Sequence, residues 1–220
     1  MENRDRVPVL LSLGSINADF QVRVERRPEI SETLVATGFL RLGGGKAANV
    51  AFLARKLGID ARLFGQVGDD DLAEQALRPL RAAGVALAGV GHAAGCATGF
   101  AMITVPPDGR KGIVLAPNAN LCWRAEDIAR VLVALRAAPP GSVLVADCEV
   151  APQAARQALE TARACGLAVL LDPSPARQVD DALLALADVA VPNAGEAHAL
   201  TGIECRDAPS ALRAAARLRE

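Results

Sequence analysis

The stretch Gly43-Gly44-Gly45-Lys46-Ala47-Ala48-Asn49 decides how this chain is read. Three successive glycines are costly to order, because glycine loses more backbone freedom on folding than any other residue. Close approach of a ligand to bare backbone is the gain that offsets that cost. An apolar strand-like run precedes the glycines, and the spacing after them predicts a helix over Lys46–Leu57 that Gly58 stops. The helix would present bare N–H groups with a partial positive charge at its first turn. The phosphate-loop pattern fails, since Ala47 stands where Ser or Thr must follow the lysine and Leu40 stands at the first glycine position. Gly43, Gly45 and Ala48 do satisfy G-x-G-x-x-A, a loose form of the dinucleotide-binding fingerprint.

A second polar, glycine-led segment lies upstream, Gly14-Ser15-Ile16-Asn17-Ala18-Asp19, just past the apolar run Val9–Leu13. It reads as a turn, with Asn17 bonding its own backbone and Asp19 able to accept two sugar hydroxyls. Together the two segments bring an aspartate, a lysine and an asparagine to strand ends. That combination suits a small polyol.

Composition sets outer limits. The chain has 220 residues, 51% of them hydrophobic, enough for a packed core and too many for disorder. Lys plus Arg is 24 against 25 for Asp plus Glu, a net charge of −1 that offers no field for nucleic acid or an anionic membrane. The apolar run from Val7 is short and broken by Pro8, so it reads as a first buried strand and not as a signal peptide or membrane span. The five cysteines are odd in number and widely spaced, and neither histidine flanks one. A zinc site or disulfide frame is not expected, and a reducing cytoplasm is the simple reading.

Strand-like and helix-like segments alternate from about Ala61 onward. Strands are expected at Ala61–Val67, Val143–Ala146, Ala168–Leu171 and Val189–Val191, with helices at Asp71–Ala83, Glu126–Ala137, Pro152–Cys165, Asp181–Ala187 and Ala208–Arg219. This rhythm predicts an α/β fold, a parallel sheet covered on both faces. Two strand pairs interrupt it, Gln21–Val24 with Thr33–Thr37 and Thr98–Val105 with Arg110–Leu115. Pro106-Pro107-Asp108-Gly109 makes the second an antiparallel hairpin. We expect a small β-sheet lid, within about residues 20–42 and 98–116, over the carboxyl edge of the main sheet.

Four acidic segments remain. Asp69-Asp70-Asp71 fits the first turn of a helix better than a metal cluster. Glu149 follows Val143–Ala146 at the sheet edge expected for Asp19 and Lys46, and Asp172-Pro173-Ser174-Pro175 is a stiff turn after the next strand. Asn193-Ala194-Gly195-Glu196 is either a helix cap or a site where Glu196 holds Mg²⁺ through its waters.

In this order the segments resemble the ribokinase-type sugar kinases, the phosphofructokinase-B family that also holds adenosine kinase. Gly14–Asp19 is similar to ribokinase's first motif and Gly43–Asn49 to the family's glycine-rich substrate signature. Thr98-Gly99, Asn118-Ala119-Asn120, Asp172–Pro175 and Asn193–Glu196 with Leu200-Thr201-Gly202 extend the likeness from about Val9 to Gly202. The resemblance implies a single ribokinase-like α/β domain and transfer of the γ-phosphoryl of ATP to a sugar hydroxymethyl group, ribose or a related pentose first. It implies Mg²⁺, often with stimulation by K⁺. By resemblance Asn17, Asp19, Gly45, Lys46, Asn49 and Glu149 touch the sugar, Asn193 faces the nucleotide phosphates, and Glu196 organises Mg²⁺ through water. The family's glycine-rich anion hole and catalytic aspartate are expected beyond Glu220, so that these residues form the sugar-binding two thirds of such a kinase, inactive alone. Ala47, where ribokinase tends to have glycine, leaves the sugar open.

Three alternatives stay beside this reading: a nucleoside kinase of the same family, a truncated non-catalytic sugar-binding protein, and a nicotinamide-dependent oxidoreductase. The last leaves Gly14–Asp19, the hairpin and Asn193–Glu196 without a task. Exposed apolar residues such as Phe39 and Leu40 make a homodimer through the lid a further expectation.

Overall fold

The computed structural model describes residues 7–220. Its elements run β1 (Leu10–Leu13), β2 (Asn17–Arg23), β3 (Gly38–Gly44), α1 (Lys46–Lys56), β4 (Ala61–Gly68), α2 (Asp71–Ala82), β5 (Ala86–Ala93), β6 (Gly99–Val105) and β7 (Gly112–Ala116). A 3₁₀ turn (Asn118–Leu121) leads to α3 (Ala125–Arg136), β8 (Val143–Asp147), α4 (Pro152–Ala164), β9 (Ala168–Asp172), α5 (Asp181–Leu184), β10 (Val189–Ala190), α6 (Ala194–Thr201) and α7 (Ala208–Arg217).

Six parallel strands form the main sheet in the order β10-β9-β8-β1-β4-β5. Alternation along β1 divides its side chains between two cores. Leu11 and Leu13 join Leu144, Val169 and Leu171 under α3 and α4, while Leu10 faces the alanine-rich inner stripes of α1 and α2. Each fully buried leucine contributes about 1.5–3 kcal/mol. Small residues at Ala47, Ala48, Ala51 and Ala54 let α1 lie close on the sheet. The chain leaves β1 for β4 on one side and returns to β8 on the other, so β1 and β8 flank a switch point. In open parallel sheets the crevice at such a point is where ligands bind.

β3, β2, β6 and β7 form a separate mixed sheet, with β2 parallel to β6 and the outer pairs antiparallel. The hairpin at Pro106–Gly109 is as expected; the strand at Thr33–Thr37 is not. The partner of β2 is Gly38–Gly44, so Gly43 and Gly44 belong to the strand and not to a loop after it. An added Cβ on Gly43 would stand 2.8 Å from the Ala76 carbonyl oxygen, so the glycines let β3 pack against α2. Asn17 and Asp19 likewise sit on β2, not in a turn. β5 was not expected, because Ala86–Ala93 is rich in alanine and glycine and carries little strand propensity of its own.

Cys96 and Cys122 are disulfide-bonded, joining the β5–β6 connection to the 3₁₀ turn, contrary to the absence expected from their spacing. Two cysteines distant in sequence are brought together by the fold, and the cysteine argument for a reducing compartment falls with that pairing. Among the described residues no helix is long and apolar enough to cross a membrane.

Candidate functional site

The carboxyl ends of β1, β8 and β9 and the first turn of α1 meet at the switch point. Gly45 caps α1 with φ of +96°, and a Cβ there would stand 2.3 Å from the Ser15 carbonyl oxygen, so only glycine permits this junction. The N–H groups that follow are not bare, as the sequence suggested. Lys46 N donates to Ser15 Oγ at 3.0 Å and Ala47 N to Asp147 Oδ2 at 3.1 Å. A buried helix start must have its orphan donors satisfied, and here side chains from two other strand ends do so.

Ser15 Oγ in turn donates to Glu149 Oε2 at 2.8 Å, which ties Glu149 to the β1 end. Lys46 Nζ reaches Asp172 Oδ2 at 2.9 Å. Burial pulls the Lys46 ammonium down, but the hydrogen bond and charge of Asp172, with Glu149 and Glu196 behind them, outweigh it and leave its pKa raised. Asp19 lies over the bare face of Gly44, where a Cβ would come within 2.2 Å of Oδ2. Burial holds its carboxyl above the ordinary value; Lys111 offsets part of the rise and Glu149 adds to it. Asp19, Lys46 and Glu149 thus share one neighbourhood.

Asn17 is buried, and its Oδ1 accepts from Asn120 Nδ2 at 2.8 Å instead of from its own backbone. Asn120 also accepts from Ile16 N, so it braces the β1–β2 connection. Asn49 is exposed one turn into α1, and its side chain takes no hydrogen bond among the described residues. Asn193 and Glu196 cap α6 reciprocally, with Glu196 N on Asn193 Oδ1 at 2.9 Å and Asn193 N on Glu196 Oε2 at 2.7 Å. The capping alternative is therefore realised, and it leaves the second Glu196 oxygen without a protein partner among the described residues. No group of three or more His, Cys, Asp or Glu among them is close enough to enclose a metal. Asp70 is the N-cap of α2, as its place in an acidic first turn indicated, and it also binds Thr98 through N and Oγ1.

The family model for pfkB family carbohydrate kinases matches residues 8–220. The chain belongs to that family. A ribokinase of Staphylococcus aureus is 34% identical over 193 residues, covering 87% of this chain and 62% of its own length. A deoxyribokinase of Salmonella typhi is 32% identical over 206 residues, covering 93% and 66%. The Arabidopsis thaliana ribokinase solved with ribose and ATP superposes with a TM-score of 0.80 at 27% identity, covering 97% of this chain and 69% of that one. The chain thus spans about two thirds of the length of these pfkB-family relatives.

Sequence reasoning assigned no role to Ser15, Asn120, Asp147 or the Lys46–Asp172 pair. Ser15 and Asn120 lay inside the quoted motifs, and that was their only signal. Asp172 was likewise quoted only as part of a stiff turn, and Asp147 gave no signal; the partners Lys46 and Ala47 lie 100 residues or more away along the chain.

Proposed function

We propose that this chain forms the sugar-binding part of an ATP-dependent kinase whose acceptor is the hydroxymethyl group of ribose or a related pentose. The observation that carries the reading is the convergence of Asp19, Lys46 and Glu149 at the β1/β8 switch point, beside the bare backbone of Gly44 and Gly45. A pentose offers adjacent hydroxyls that both donate and accept. Carboxylates at Asp19 and Glu149 accept from them, and the two Lys46 protons not spent on Asp172 donate to them. Asn49, exposed one turn beyond Lys46, is the fourth contact in this reading, and Asn17 acts indirectly, by holding Asn120 against the β1–β2 connection.

Phosphoryl transfer asks a protein mainly for alignment, charge compensation and exclusion of water. ATP supplies the phosphoryl group when bound, with Mg²⁺ neutralising its charge. Glu196, alone and with one oxygen open, suits a hydrated ion that gives up its shell reluctantly. Asn193 stands at the start of α6 on the same edge, on the side proposed for the phosphates. No residue described here is assigned the proton of the acceptor hydroxyl. The small sheet is read as the lid, with Asp19 on its first strand, so closure and sugar contact are coupled.

Calorimetry of the 220-residue polypeptide with D-ribose, 2-deoxy-D-ribose and inosine tests the reading. Binding of a free pentose is the expected result. Binding of inosine alone would move the acceptor to a nucleoside, and binding of none would overturn the sugar site.

A further inference from the structure

Asp147 closes β8 and is 2% exposed. Both of its oxygens are met by backbone donors: Oδ1 by Ser15 N at 3.3 Å and Glu149 N at 2.9 Å, Oδ2 by Ser15 N at 3.0 Å and Ala47 N at 3.1 Å. These donors come from the end of β1, the first turn of α1 and the loop after β8. The residues proposed to meet the sugar, Lys46 and Glu149, with Ser15 that binds them both, are the same residues or their immediate neighbours. Gly14 makes room for the carboxylate, since a Cβ there would stand 1.8 Å from Oδ2.

The surroundings of this carboxylate hold no cation bonded to it. Glu149 and Asp172 are the charged neighbours, Lys46 Nζ bonds Asp172 instead, and the Cys148 thiol beside it is pushed up to about 12 by burial and then by the charges of Asp147 and Asp172. A buried anion in such company is retained at a cost. Burial, then Glu149 and Asp172, push the Asp147 pKa up to about 7 against the backbone hydrogen bonds that favour ionisation. An amide side chain could not replace it, because its NH₂ would face an N–H donor.

We propose that Asp147 is the positioning residue of the sugar site, its ionised carboxylate clamping the β1 end, the α1 start and the β8 loop into one geometry. This rests on the reading of the switch point as a pentose site. Protonation places a hydrogen where an N–H now points, so the clamp loosens as pH falls.

The test has a sugar-independent arm. In ¹H–¹⁵N spectra of the unliganded 220-residue chain, the Ser15, Ala47 and Glu149 amides should titrate together with one midpoint near the value of about 7. Glu149→Gln and Asp172→Asn should each lower that midpoint, since removing a neighbouring negative charge favours the anion. Asp147→Asn should abolish the shared transition. Three amides that titrate separately, or not at all, overturn the clamp whether or not the variant folds. In the second arm, Asp147→Asn should raise the Kd for D-ribose about tenfold at about pH 8, the equivalent of one charge-assisted hydrogen bond. The wild-type Kd should rise comparably on lowering the pH to about 5.5, while that of the variant stays level. A wild-type Kd independent of pH overturns the role. A chain that binds no pentose yet shows the shared amide transition keeps the clamp and refutes only the sugar reading.

Discussion

Lys46 Nζ lies 2.9 Å from Asp172 Oδ2, although the two residues are 126 positions apart. The ammonium stands at the first turn of α1 and the carboxylate at the end of β9, so the pair spans the switch point. Their side chains are 33% and 31% exposed, and an ion pair so open to water contributes about 0–1 kcal/mol to folding. Its consequence is geometric: Lys46 is held with one donor spent and two directed elsewhere. Asp172→Asn should therefore change stability by less than about 1 kcal/mol, yet raise the pentose Kd several-fold by releasing the ammonium. Calorimetry beside a urea titration separates the two effects.

Asp19→Ala removes the carboxylate that rests on Gly44. Under the proposed kinase activity it should raise KM and lower kcat together, because the alcohol is then both loosely held and misaligned. Steady-state kinetics with ribose measure this, and wild-type values would refute the role of Asp19.

Gly44→Ala places a methyl group where the Asp19 carboxylate now sits, within 2.2 Å of Oδ2. The flexible carboxylate can move, so the fold should survive with sugar binding weakened by about tenfold, the loss of one good hydrogen bond. Gly45→Ala meets backbone, 2.3 Å from the Ser15 carbonyl oxygen, at a φ of +96°. That variant should lose about 1–3 kcal/mol of stability. Thermal melts of the two chains give the order.

The Asp147 carboxyl is raised from 3.8 to about 7 in the folded chain. A raised carboxylate pKa means that the folded state binds the proton more tightly than the unfolded one. Its stabilising contribution is complete below about pH 4 and is lost as pH rises through about 7. Relative to Asp147→Asn, the wild type should lose on the order of a few kcal/mol between about pH 5 and pH 8. Urea unfolding at both pH values checks the sign, and a wild type that gains on the variant would contradict it. Ionisation is then what the site needs and what the fold tolerates least.

The outer face of the small sheet is apolar. Phe39 is 57% exposed, and Phe20, Val22, Phe39, Phe100 and Met102 line a hollow of about 430 Å³ away from the polar site. We expect a second copy of the chain to cover this face. Sedimentation should give a dimer that Phe39→Glu converts to monomer, and a monomeric wild type would remove the lid interface.

Local pattern carried a large part of this structure. The helix starting at Lys46, the cap at Asp70 and the hairpin at Pro106–Gly109 follow from capping, periodicity and turn chemistry acting over a few residues. Thr33–Thr37 misled because β-branched residues suggest a strand, whereas the glycine-containing stretch Gly38–Gly44 forms it by packing against β2 and α2. β5 escaped because an alanine- and glycine-rich edge strand is specified by its neighbour β4 and not by itself.

The candidate site divides in the same way. Asp19, Lys46 and Glu149 were legible as polar residues after apolar runs, but only Glu149 follows a strand of the parallel sheet; Asp19 lies on β2 and Lys46 follows β3, both in the small mixed sheet. The order of strands is what places β8 beside β1 and Asp147 opposite Asp172, and that order is a property of the whole packed sheet. The amino-acid sequence by itself determined the elements and the chemistry they carry to the sheet edge. Only the tertiary structure decided which oxygen accepts which N–H, because those bonds join segments 100 residues or more apart whose spacing no local rule encodes.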